Sequence, residues 1–182
     1  MTFQEDERRF KELILYISQK CAHDKKFGST KLNKILFYSD FLAYGNLGEP
    51  ITGFEYQRLE QGPAPRKLLP IRKAMIKRGE LGLQEVRLQG AKAQIRTVNL
   101  RSPDLKVFTA SQIAIVDSVI EALRDADADA VSELSHRMAG WKAAHFKETI
   151  PYETVFISAD PPTEADIQRG LEIAREFDLI TE

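Results

Sequence analysis

The sequence predicts an α+β fold, predominantly α-helical, with helices packed around a central helix at about residues 29–45 and a small antiparallel β-hairpin at about 83–100. Three observations carry this. STKLNKILFYSDFLAYGNLG, from Ser29 to Gly48, is apolar on two faces: Leu32, Ile35, Leu36, Ser39 and Ala43 follow the helical period on one, and Phe37, Phe41 and Tyr44 rise along another. A helix apolar on so many sides belongs in the interior. Thr109-Ala-Ser-Gln112 has capping-box spacing, with Phe108 and Ile113 placed as a hydrophobic staple, and predicts a second strong helix from Ala110 to Arg124. Leu83 to Leu88 and Ala93 to Leu100 read as two strands joined near Gln89-Gly90-Ala91.

In chain order, the first helix is expected over about Asp6 to Ala22, its stripe of Phe10, Leu13, Ile14, Ile17 and Cys21 lying on the central helix. Ser29 or Thr30 is placed to cap the central helix, and Gly45 and Gly48 offer left-handed positions to end it. Phe54 to Leu59 alternates as a short extended segment. Gly62-Pro63-Ala64-Pro65 predicts a rigid, non-helical corner, because each proline sets its own φ and extends the residue before it. A helix of about Pro70 to Arg78 turns Ile71 and Met75 inward and is basic elsewhere. In the second strand the alternation changes phase near Thr97, which predicts a bulge or the end of pairing. The stripe of Ile113, Val116, Val119, Ile120 and Leu123 is expected on the central helix's second face. A short helix from Ala128 to Met138 turns Val131, Leu134 and Met138 inward, and Trp141 to Phe146 with Ile150-Pro151-Tyr152 reads as a packed loop. Thr163-Glu-Ala-Asp166 opens a last helix whose Ile167, Leu171 and Ala174 face the body.

A chain of 182 residues, 43% hydrophobic, suits one sizeable core, so residues 1–182 are expected to form a single domain. Net charge near −1 hides an asymmetry: the helix-hairpin segment 66–101 has ten basic residues against two acidic, about +8, leaving about −9 elsewhere. One cysteine, Cys21, makes no internal disulfide and reads as core; with a charged N-terminus and no membrane-length apolar run, the expected location is cytoplasmic, with no membrane partner.

The sequence predicts no enzyme and no cofactor. His23, His136 and His145 lack metal-ligand spacing, so no metal is expected. Ser135 and His136 are helix neighbours about 100° apart, which cannot form a nucleophile and base directly. Nucleotide-binding glycine loops and the G-x-S-x-G elbow are missing. A small-ligand module would need a pocket with converging polar groups, which no motif predicts. The basic helix and following hairpin support an alternative, a winged-helix-like DNA-binding regulator with Arg72, Lys73, Lys77 and Arg78 on nucleic acid, its own promoter being the DNA partner. Such charge is also what a solvated face, or one pairing with acidic groups, displays.

Lys31-Leu32-Asn33-Lys34-Ile35-Leu36-Phe37-Tyr38-Ser39-Asp40 resembles the signature helix of the Panacea domain, the SocA-like antitoxin family of bacterial and phage toxin-antitoxin systems. Gly62-Pro63-Ala64-Pro65 resembles that family's Gly-Pro corner; Leu134-Ser135-His136 with Trp141, and Glu148-Thr149-Ile150-Pro151-Tyr152, resemble its later blocks. Ile35 and Phe37 stand where leucine and tyrosine are usual, which keeps volume and removes a hydroxyl. The resemblance implies a non-catalytic protein that binds and neutralises a cognate toxin. Aromatic and basic side chains at the edge of a rigid corner supply interface anchors. The expected partner-binding neighbourhood is therefore Lys31, Lys34, Tyr38, Tyr56, Gly62, Pro63, Pro65 and Trp141, with core packing the competing role for Tyr38 and Trp141. The oligomeric state is left open.

Overall fold

A computed structural model describes residues 3–87, 93–158 and 160–177. Helix α1 spans Glu7–Lys20, capped by Asp6, whose carboxylate accepts the Arg9 amide at 2.9 Å. Its predicted stripe is fully buried, and Leu15 and Tyr16 are buried with it. Helix α2 spans Ser29–Leu47 and is the centre of the fold, with α1 and several later elements against it. Phe37, Phe41, Leu32 and Leu36 are all at most 1% exposed, so both predicted faces are interior. Gly48 ends the helix in the left-handed conformation, φ +80°. Its start differs from expectation. Gly28 is the N-cap and no side chain caps it, because the Ser29 hydroxyl donates to the Ile95 carbonyl at 3.1 Å instead.

Strand β1 (Tyr56–Leu59) pairs antiparallel with β2 (Gly62–Pro65), Tyr56 opposite Pro65 and Leu59 opposite Gly62. The predicted rigid corner is thus a strand. Proline's fixed φ is compatible with extended backbone, and its missing N–H is tolerated where the strand forms an edge. The far edge of β1 takes up the 147–150 segment: Arg58 N donates to the Glu148 carbonyl and Ile150 N to that of Tyr56, at 3.0 and 2.8 Å.

Helix α3 (Leu68–Lys77) leads into β3 (Leu81–Val86) and β4 (Gln94–Asn99), a second antiparallel pair. The predicted joint at Gln89-Gly90-Ala91 lies outside the described residues. No bulge occurs at Thr97; pairing runs one to one from Leu81 opposite Asn99 to Val86 opposite Gln94. The phase break has another cause: Thr97 itself is the buried residue, its hydroxyl 2.8 Å from that of Ser18, so a polar pair occupies a position where an apolar residue was sought.

Helix α4 (Ala110–Ala122) carries both halves of the predicted Thr109–Gln112 capping box and buries Val116, Val119 and Ile120. Helix α4 packs on α2 and α1. The α2 aromatic row, however, meets Tyr56 and Tyr152: Phe41 lies 5.7 Å from the first ring and 4.6 Å from the second. Helix α5 (Ala128–His136) buries Val131 and half-buries Met138 just beyond its end, but Leu134 is exposed and Ser135 is buried in its place. Within the predicted packed loop, Ala139–Ala143 forms a short helix α6 and Tyr152–Phe156 a 3-10 turn, while Phe146 projects into solvent. The last helix, α7 (Glu164–Glu176), starts at its predicted Thr163–Asp166 box but buries none of its residues; Ile167 and Leu171 are exposed rather than turned to the body.

Candidate functional site

Where α2, β2 and α5 meet, the sequence places a lysine, a glycine and a serine against one another. Lys34 is 1% exposed; its Nζ donates to the Pro63 carbonyl at 3.1 Å, and no carboxylate pairs with it among the described residues. Burial without a counter-charge pulls its pKa down to about 7. Gly62 has φ +93°, and a Cβ there would stand 2.2 Å from Ser135 Oγ and 2.6 Å from Lys34 Nζ. Only glycine fits this junction. Ser135 Oγ is turned to the Ser132 carbonyl at 2.7 Å.

Above Lys34 lies a cleft of about 340 Å³, walled by Asn33, Leu59, Glu60, Gln61, Gly62 and the exposed ring of Phe146. Asn33 Oδ1 is buried without a hydrogen-bond partner among the described residues. Trp141 braces the neighbouring turn: its Nε1 donates to the Leu59 carbonyl at 3.2 Å, its ring stacks on His136 at 3.9 Å, and the Arg58 guanidinium lies 4.3 Å from it. Arg58 in turn donates to the Ala144 carbonyl.

The remaining predicted residues sit deeper. Lys31, 1% exposed, forms an ion pair with Asp24 at 2.7 Å and donates to the Arg124 carbonyl at 3.0 Å, tying the α1–α2 connection to the end of α4. Tyr56 is wholly buried; Pro63 and Pro65 are buried in β2; Tyr38 and Trp141 are half-buried. Lys34 and Gly62 line the cleft, Pro63 is tied to it through its carbonyl on Lys34 and Trp141 through Leu59, whereas Lys31, Tyr38, Tyr56 and Pro65 do not line it.

Sequence reasoning passed over Asp40. Its carboxylate is fully buried and accepts the Thr52 amide and hydroxyl at 2.7 and 2.5 Å, with the Tyr56 hydroxyl at 2.7 Å. Desolvation nevertheless raises its pKa to about 6 against the pull of those hydrogen bonds. The available signal was the apolar surround on both helical faces, which leaves a polar residue at 34 or 40 nowhere to go but inside.

In the basic segment, Arg66, Lys67, Arg78, Arg87 and Arg101 each pair with an acidic side chain. Arg72 is half-buried beside Ser29, and burial lowers its pKa. Lys73 and Lys77 are exposed and without a partner among the described residues. Much of the +8 is therefore met within the molecule. Among the described residues no group of three or more His, Cys, Asp or Glu is placed to hold a metal, and no helix is long and apolar enough to cross a membrane.

A predominantly helical α+β fold organised on a buried helix, with a cleft at the junction of that helix and a Gly-Pro strand, defines the class. The chain belongs to the SocA-like antitoxin family: the family's Panacea domain matches residues 32–142, which cover most of α2, both strand pairs, α3, α4, α5 and most of α6. No curated protein and no solved structure matches the chain.

Proposed function

We propose that this protein, residues 1–182 acting as one domain, is an antitoxin that neutralises a cognate toxin by binding it directly, without catalysis. Membership of the SocA-like antitoxin family carries the reading. The Lys34, Gly62, Pro63 and Trp141 grouping supports it, since rigid backbone beside aromatic and basic groups is how tight interfaces are anchored. Buried Lys31, Tyr56 and Pro65 act behind that surface by holding it in shape, and Phe146, Glu60 and Gln61 present it to a partner. Co-expression with the product of each adjacent gene tests the reading. The cognate toxin co-purifies and its growth arrest is relieved; failure of both with every neighbour refutes it.

A second reading, a DNA-binding regulator acting on its own promoter, is favoured by one observation: Lys73 and Lys77 stand exposed on a helix that runs directly into a β-hairpin. Arg72 and Arg78 contribute less, being half-buried and paired with Glu80 respectively. Promoter binding that weakens with salt and with the combined change of Arg72, Lys73 and Lys77 supports it, and the lack of any binding at low salt removes it.

A further inference from the structure

We propose that the cleft over Lys34 is an acceptor site for an acidic side chain, Glu or Asp, inserted by a segment of a protein partner. This rests on the neutralisation reading and names the chemistry by which a partner would be gripped. Lys34 Nζ carries three protons when charged, and one is taken by the Pro63 carbonyl. The other donors have no acceptor among the described residues, an arrangement the fold sustains at the foot of an open cleft rather than in a sealed core. Gly62 keeps the approach clear, since any side chain there would occupy the position beside Nζ. A carboxylate satisfies Lys34.

Glu60 on the cleft wall discriminates between anions. A phosphodiester also offers oxygens to Lys34, but Glu60 repels a polyanion more than a single carboxylate. The exposed Phe146 ring at the margin gives apolar area to the flanking residue of a peptide. A volume of about 340 Å³ accommodates one such side chain and its backbone, at the small end of ligand sites.

The full chain is titrated with N-acetyl-glutamate N-methylamide at pH 6.5, following the Lys34 side-chain carbon signals by NMR, with the glutamine analogue as the neutral isostere. Saturable movement of the Lys34 signals is expected, with the glutamine analogue at least tenfold weaker. Read at the Gly62 amide, which every variant retains beside residue 34, Lys34→Met abolishes the response, Lys73→Met leaves it unchanged, and Glu60→Gln tightens it severalfold by removing a like charge. The last variant changes an exposed residue and decides the matter should Lys34→Met fail to fold. Silence at Lys34, equal response to both analogues, or displacement of the glutamate probe by a short single-stranded DNA overturns the proposal. A toxin held as tightly by Lys34→Met as by the wild type overturns this site while leaving neutralisation intact. Probe binding at Lys34 without any co-purifying neighbour overturns neutralisation while leaving the site.

Discussion

Asp40 and Lys34 stand on one helix, six residues apart, and both carry charge into the interior at a cost the surrounding hydrogen bonds only partly offset. The pKa of Asp40 is raised in the folded state to about 6, so its contribution is present below the ordinary aspartate pKa near 3.8 and is lost as pH rises through 6. Urea unfolding at several pH values is therefore expected to show the wild type losing about 2–2.5 kcal/mol relative to Asp40→Asn between pH 4 and pH 7, by linkage at ~1.4 kcal/mol per pKa unit. The comparison is of slopes, since the asparagine also disturbs the hydrogen bonds from Thr52. Lys34 has the opposite sign. Its pKa is depressed to about 7, so the stability it carries is present above the ordinary lysine range and lost as pH falls towards 7. Lys34→Met is expected to raise stability at pH 7 by about 1–3 kcal/mol, with the advantage shrinking towards pH 10. A protein that keeps a destabilising lysine beside an open cleft fits a site maintained for binding.

At the level of elements, helix ends and apolar stripes were legible, and polar residues that serve packing were not. The Thr109–Gln112 box is visible because capping is local, set by residues three apart. Thr109→Ala is expected to lower the unfolding free energy by about 1 kcal/mol in denaturant melts. The start of α2 misled because Ser29 has two possible partners, the helix backbone and the Ile95 carbonyl, and the second arrives from 66 residues away. Gly62 to Pro65 reads as a corner because proline disfavours a central strand; that it forms an edge strand depends on β1 and α2 being beside it. Helix α7 has a clear amphipathic pattern with no buried residue, so its pattern did not specify a contact. Truncation after Pro162 is expected to shift the melting temperature by no more than ~2 °C, because little apolar area is lost from the interior. A larger drop in a thermal scan would mean that the helix holds the body together.

Across the whole molecule, the charge asymmetry is resolved by folding. Glu12 on α1 is buried and receives Arg101 at 2.6 and 2.8 Å together with the Asp104 amide at 2.7 Å, which closes the segment after the second hairpin onto the first helix. The bidentate geometry and the bond to the amide hold the carboxylate ionised, so its pKa falls despite burial. Arg101→Met leaves that carboxylate buried without its cation and is expected to cost about 3–5 kcal/mol, measured by chemical denaturation; the double change with Glu12→Gln recovers part of the loss. The amino-acid sequence by itself determined the fold class, the central helix, the α4 capping box and the family, because each rests on spacing along a few turns of chain or on motifs in order. It also named Lys34, Gly62, Pro63 and Trp141 as functional candidates. Only the tertiary structure decided that Lys34 and Gly62 line one cleft with Pro63 and Trp141 bonded to its walls, that Lys34 is buried with one hydrogen bond, that Lys31 is spent on Asp24, and that half the basic segment is paired internally. Those outcomes depend on which groups meet across 20 to 100 residues of chain, and burial, hydrogen-bond satisfaction and pKa are properties of that meeting rather than of the residue.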